Sequence, residues 1–87
     1  MTRNAFLAAY ADELRSRYPW ARDPLRLHKF VVGVRVTLNG ANTWDHDGPA
    51  VTAAWRAIGG KGRATLKALR ALPHSEQPEE GNANVQQ

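Results

Sequence analysis

The chain has 87 residues, no cysteine, and twelve Lys and Arg against eight Asp and Glu, which gives a formal net charge of +4. A chain of this length builds one core, and without cysteine that core holds by packing alone and offers no thiolate for metal binding or catalysis. No apolar run of about 18 residues is present for a membrane span, and the N-terminus lacks an unbroken apolar secretion signal. We therefore expect a cytoplasmic protein with no membrane partner.

The charge is unevenly distributed along the chain. All twelve basic residues and five of the acids precede Pro73, so residues 1–72 carry a net charge of +7, whereas residues 73–87 contain three glutamates and no Lys or Arg. Because those last residues include one aliphatic side chain other than alanine, we expect a basic helical domain over 1–72 and a disordered, acidic flexible tail over 73–87. A basic domain favours a polyanionic partner, usually nucleic acid.

The sequence of the first half of the domain predicts two helices separated by the turn YPWARD. Thr2 is a candidate N-cap for a helix whose apolar residues recur at steps of three and four, and Pro19 ends that helix. Asp23 followed by Pro24 is a start signal for a second helix. The apolar positions of this second helix are Leu27, Phe30, Val31, Val34 and Leu38.

Residues 31–38 have two interpretations. VGVRVTL alternates aliphatic residues with small or polar ones and is followed by Asn39-Gly40, which is the pattern of a strand entering a two-residue hairpin. The helical interpretation uses the Asp-Pro start and the spacing LxxFxxxVxxxL, and it makes Asn39-Gly40 the C-terminal cap. We prefer a helix over about residues 24–38.

Two short helices are predicted on either side of a glycine-rich break in the second half. After the loop GANTWDHDGP, Asp47 or Gly48 caps a helix over about residues 49–58. GGKG interrupts the pattern, and residues 63–72 form a last helix that ends at Pro73. The predicted fold is therefore mainly α, a small bundle of about four short helices ending in a helix-turn-helix-like pair.

The run GKGRATLKAL, within residues 53–72, resembles the turn and recognition-helix start of bacterial and phage repressor-type helix-turn-helix proteins. In that family a glycine turn leads to a small residue, a threonine and an aliphatic residue. The matching positions are Gly60, Arg63, Ala64, Thr65, Leu66 and Leu69. The resemblance implies a transcriptional or phage-type regulator that contacts DNA with its last two helices.

Residues 48–72 contain five cations and no acid. This pattern predicts a phosphate-binding surface at the break, where we expect Arg63, Lys67 and Arg70 to form the DNA-facing side of the last helix. The predicted DNA-binding residues are Arg56, Lys61, Arg63, Thr65, Lys67 and Arg70. The competing interpretation is that GGKG forms a tight connection and the cations only solvate an outer face.

No constellation in the sequence predicts catalysis, a cofactor or a metal site, so we do not expect an enzyme. GGKG lacks the Ser or Thr and the preceding strand of a nucleotide-binding loop. Asp45, His46 and Asp47 are adjacent, and adjacent residues rarely converge on one ion, so a cap role for Asp47 explains them better. The alternative to DNA binding is a protein-interaction module or small inhibitor that uses Trp20, Trp44 and the tail on a larger partner, and homodimerisation stays open.

Overall fold

The structure is a computed structural model that describes residues 1–74. Four helices follow one another, with no strand among the described residues: α1 (Arg3–Arg17), α2 (Pro24–Leu38), α3 (Gly48–Ala57) and α4 (Leu66–Arg70). A short 3-10 helix, Pro19–Arg22, joins α1 to α2. The mainly helical fold predicted from the sequence is confirmed, and residues 31–38 are helical. From residue 75 onward, the predicted tail lies outside the described residues.

Each of the four α-helices begins at a side-chain cap, in which a side-chain oxygen accepts a hydrogen bond from a backbone N–H of the first turn. Three of these caps match the predictions, namely Thr2, Asp23 and Asp47. The fourth is at Thr65, whose hydroxyl accepts from the Ala68 N–H at 3.1 Å. The prediction that the last helix covers residues 63–72 is therefore wrong, because this cap starts the helix at Leu66.

The core is built from α1, α2 and α3 and also includes Leu69 of α4. Helix α3 packs against α1, and α4 packs against α2. The apolar spacing of the sequence predicts burial of Phe6, Leu7, Tyr10 and Leu14 on α1 and of Val51, Ala54 and Trp55 on α3, and all of these are buried. Ala50 of α3 is buried as well, which was not predicted. The predicted face of α2 is confirmed at Val34 and Leu38 and wrong at Phe30, which is 41% exposed. Thr37 is fully buried instead. Its hydroxyl lies within hydrogen-bond distance of two carbonyl oxygens, that of Gly33 one turn earlier and that of Thr43, and its one proton is shared between them.

The helices α2 and α3 end in the same glycine-dependent cap. After α3, the Gly59 N–H donates to the Arg56 carbonyl at 3.0 Å and the Gly60 N–H donates to the Trp55 carbonyl at 2.8 Å. These two bonds define a Schellman motif, which needs a left-handed residue after the helix. Gly59, with a φ of 94°, takes that position after α3, and Gly40, with a φ of 115°, takes it after α2.

Arg70 ties α4 to the end of α2. Its Nε and Nη2 donate to the Thr37 carbonyl at 3.1 and 2.8 Å, and Nη2 also donates to the Ala41 carbonyl at 3.1 Å. The last carbonyls of a helix lack intrahelical partners, so a guanidinium there stabilises the helix end. Arg3 donates to the Arg70 carbonyl at 2.7 Å and through its N–H to the Pro73 carbonyl at 2.8 Å, which joins the start of α1 to the segment after α4.

Candidate nucleic-acid interface

Residues 58–65 connect α3 to α4 and fold around the Trp55 side chain. The indole Nε1 donates to the Lys61 carbonyl at 3.3 Å. Gly60 lies against the ring so closely that a Cβ at this position would be 2.2 Å from two indole carbons, and Gly62 has a φ of 74°. The glycines therefore interrupt the helical pattern because the backbone has to cap α3, cross the indole and turn back toward α4.

This connection differs from the turn of a helix-turn-helix, which joins its two helices through three or four residues. Here residues 58–65 intervene, and α4 has its packing partner in α2. At 1.5 Å per residue, the five residues of α4 span about 7.5 Å. The predicted helix-turn-helix pairing is not confirmed. The motif residues Ala64 and Leu66 are instead half-buried against the core, and Leu69 is within it.

Three of the six predicted DNA-binding residues line one groove, which has a volume of about 530 Å³. We call it the basic groove. It lies between α3 and the segment before α4, and Trp44 lines it from the loop between α2 and α3. The lining residues are Trp44, Thr52, Arg56, Gly62, Arg63, Ala64 and Thr65.

The cations in and around the basic groove have no acidic partner. The two ion pairs formed within residues 1–74 both lie on α1, and no acid occurs between residues 48 and 74. Four exposed cations near the groove make no side-chain hydrogen bond or ion pair within the described part of the chain, namely Arg56, Lys61, Arg63 and Lys67. An exposed guanidinium without a partner presents a planar set of donors that matches the oxygens of a phosphate.

The six predicted residues differ in position and in what their side chains bind. Lys61 and Lys67 are exposed but do not line the groove. The prediction that Arg63, Lys67 and Arg70 form one face of a helix is wrong, because Arg63 precedes α4 and the Arg70 guanidinium binds carbonyls at the end of α2. Thr65 lines the groove while its oxygen caps α4, and its hydroxyl proton can still be donated.

Trp44 forms an aromatic wall of the basic groove, a position that the sequence did not predict. Its indole is half-buried and stacks on the imidazole of His46, with ring centroids 3.9 Å apart and planes inclined by 25°. The His46 Nδ1 lies 2.9 Å from the Trp44 carbonyl oxygen, and since a carbonyl only accepts, Nδ1 is the protonated nitrogen. The sequence placed Trp44 in a loop, but only the path of that loop brings it to the two arginines.

Asp47 organises the start of α3 and its contact with α1. Its carboxylate accepts from the Ala50 N–H at 2.9 Å and from the Tyr18 hydroxyl, and its own N–H donates to the Tyr10 hydroxyl at 3.1 Å. The hydrogen bond to the carboxylate raises the pKa of Tyr18, and burial raises the pKa of Tyr10. The predicted cap role of Asp47 is confirmed, and residues 1–74 contain no group of three His, Asp or Glu that could hold a metal ion.

No helix within residues 1–74 is both long enough and apolar enough to cross a bilayer. The chain matches no protein-family model, no curated protein and no solved structure. What the basic groove does must therefore be inferred from its own residues.

Proposed function

We propose that this protein binds DNA through the phosphate backbone, with the basic groove as the contact surface. The observation that carries the proposal is that Arg56 and Arg63, from α3 and from the connection after it, line one groove that has no acid in its lining. Each phosphate that an arginine neutralises releases condensed counterions, which supplies most of the sequence-independent affinity of a DNA-binding protein.

The groove is preorganised for this role because its walls are held by the fold. The α3 wall is fixed by the Asp47 cap and by the packing of α3 on α1. The opposite wall is fixed by the Trp55 indole, which binds the Lys61 carbonyl, and by the Thr65 cap of α4. Since these backbone segments are ordered before binding, a ligand meets a smaller entropy cost than it would at a flexible basic segment.

The proposed contacts divide into positions inside the groove and positions beside it. Arg56 and Arg63 bind phosphate oxygens with paired N–H donors, and the Thr65 hydroxyl adds a neutral donor. Lys61 and Lys67 act as point charges on adjoining phosphates. Phosphate contacts position a protein on nucleic acid without reading its sequence. We also propose the regulatory role that the repressor resemblance implies and a cytoplasmic location, and phosphate binding is compatible with both.

A salt titration of labelled duplex DNA tests the proposal. The affinity, followed by fluorescence anisotropy at several salt concentrations, should fall with a log-log slope of about −0.9 for each phosphate neutralised. The variant Arg56→Gln/Arg63→Gln should lower the affinity. It should also make the log-log slope shallower by about 1.8, because two phosphate contacts are lost. Circular dichroism should show unchanged helicity, because both side chains are exposed and without partners in the described structure.

A matched control is available on α1. Arg15→Gln/Arg17→Gln removes the same amount of charge from residues that pair with Asp12 and Glu13 and do not line the groove. It should change the affinity only through the overall field of the protein. Equal losses from the two double variants would reject a localised surface, and the absence of binding to DNA in either duplex or single-stranded form at low salt would reject the proposal.

A second candidate function is protein docking on the outer face of α2. Leu25 is 74% exposed and Phe30 is 41% exposed, and Trp20 packs on Phe30 with ring centroids 4.6 Å apart. A second copy of the chain is the simplest partner for this face. Sedimentation equilibrium tests it, since Phe30→Glu should convert a dimer to a monomer; a wild-type chain that stays monomeric at high concentration would contradict self-association.

A further inference from the structure

The basic groove combines two unpartnered arginines with an aromatic wall, and we propose that its ligand is single-stranded nucleic acid. In this arrangement one unpaired base stacks at Trp44 while the adjoining phosphates bind Arg56 and Arg63. The inference rests on the proposed function and specifies which form of nucleic acid the same groove takes.

The shape of the region disfavours reading a duplex. The major groove is about 12 Å wide and is read by a helix or ribbon that presents several side chains to the base edges. The five-residue helix α4 offers little for this, since Leu69 is buried, Leu66 is half-buried and Arg70 is held by carbonyls at the end of α2. A paired base also remains inside the helical stack, where it cannot reach an indole that forms the wall of a groove.

An unpaired strand uses both kinds of group in the groove. Proteins that bind single strands combine a positive channel for the backbone with aromatic side chains on which bases stack, and each stacked base contributes roughly 5- to 150-fold in affinity. The basic groove has this composition: Trp44 is its aromatic residue, and Arg56 and Arg63 are its cations. Packing against the core accounts for the buried part of Trp44, and the part of the residue that lines the groove beside the arginines is the part that a base contacts.

The orientation of Trp44 is fixed by contacts on both sides of it in the chain. The Thr37 hydroxyl, on a fully buried residue, donates to the carbonyl of Thr43 immediately before it. His46 follows two residues later, stacks on the indole and donates from Nδ1 to the Trp44 carbonyl. The imidazole thus holds the ring in place, so little side-chain entropy is lost when a base stacks on it.

Three labelled probes of equal length test the inference by fluorescence anisotropy: a thymidine 15-mer, a uridine 15-mer and a 15-base-pair duplex. The wild-type chain should bind at least one single strand more tightly than the duplex at the same salt concentration, and the two single strands together show whether the sugar matters. Trp44→Leu should lower single-strand affinity by roughly 5- to 150-fold. Because that change removes no charge, the salt slope should stay the same.

Two further variants separate stacking from folding. Trp44→Phe keeps an aromatic ring and should retain most of the affinity, while Val36→Ala shortens an exposed apolar side chain that does not line the groove and should have no effect. Binding should quench the tryptophan fluorescence of the wild-type chain, and Trp44→Phe should abolish most of the quenching. This readout stands even if Trp44→Leu unfolds.

The outcomes distinguish single-strand recognition from the more general proposal of DNA binding on which it rests. Tighter binding of the duplex than of both single strands, or quenching that persists in Trp44→Phe, would overturn single-strand recognition and leave DNA binding by phosphate contacts intact. Unchanged single-strand affinity in a folded Trp44→Leu variant would do the same. Failure of all three probes to bind at low salt would overturn both.

Discussion

Replacing Gly60 by alanine should destabilise the connection that carries the basic groove. The new Cβ would lie 2.2 Å from Cδ2 and Cε2 of Trp55 and 2.7 Å from Cγ. The backbone cannot easily retreat, because the Gly60 N–H makes the 2.8 Å bond that caps α3. The ring cannot easily retreat either, since Trp55 is only 6% exposed and belongs to the core. Overpacking of this kind costs about 1–3 kcal/mol in the free energy of unfolding.

A second glycine provides a control in which alanine should raise the free energy of unfolding instead of lowering it. Gly33 lies inside α2, and a Cβ there would meet no atom within 4 Å. Alanine should therefore raise the free energy of unfolding by about 0.5–1 kcal/mol, because glycine is the poorer helix former. The two substitutions add the same methyl group, so opposite signs would show that the loss at Gly60 comes from its surroundings and not from the added group itself.

Urea unfolding followed by circular dichroism measures both effects as shifts in the midpoint at a constant slope. Thermal melts should show a change of about 4–8 °C for each kcal/mol in a domain of this size. Gly60→Ala should also weaken DNA binding, because moving the 58–65 connection displaces Arg63 relative to α3. A Gly60→Ala variant as stable as the wild-type chain would refute the idea that the indole dictates glycine here.

Three further predictions concern other parts of the molecule. Deleting residues 75–87 should leave the melting temperature unchanged and raise nonspecific DNA affinity by removing three negative charges, and a large loss of stability would show that this segment packs on the domain. Arg70→Gln should lower the free energy of unfolding by about 1–3 kcal/mol because the charged hydrogen bonds from its guanidinium to the Thr37 and Ala41 carbonyls are lost, whereas Lys67→Gln should weaken binding with unchanged stability; equal melting temperatures of the two variants would contradict the structural role of Arg70. The raised pKa values of Tyr18 and Tyr10 mean that the fold favours the neutral phenols, so their contribution is fully present below the unfolded pKa of about 10 and lost as pH rises through the folded values; Tyr18→Phe should make that alkaline loss of stability shallower, and an unchanged profile would contradict it.

The sequence was sufficient to predict a helix where an N-cap residue and a periodic apolar face both indicated the same helix. Thr2 and the spacing of apolar residues placed α1, and Asp23-Pro24 decided α2 in favour of helix although its valines also suit a strand. The burial of Thr37 could not be read from composition, because it depends on a hydroxyl that finds acceptors at the Gly33 and Thr43 carbonyls. A lone threonine in a valine-rich run carries no signal of those partners.

The last helix was the least predictable element because its leucines have the same spacing in a short helix as in a long one. Leu66, Leu69 and Leu72 suggested a helix from residue 63, while the start is set by the Thr65 cap. For the site, the absence of acids from residues 48–72 identified Arg56 and Arg63 among six candidates, but not that these two line the same groove. The juxtaposition with Trp44 arises from the path of the loop between α2 and α3, which tertiary hydrogen bonds determine.

Two pairs of arginines in this chain differ in whether acids lie beside them, and the difference favours ligand binding over solvation as the role of the basic groove. On α1, Arg15 and Arg17 pair with acids one turn earlier, which is how a solvated face usually balances its charge. Arg56 and Arg63 have no acid in their groove, and like charges there repel one another in the absence of a ligand. Solubility alone does not require that two cations line one groove beside a fixed indole. A nucleic-acid strand would offset the repulsion with its phosphates and would stack a base on the indole.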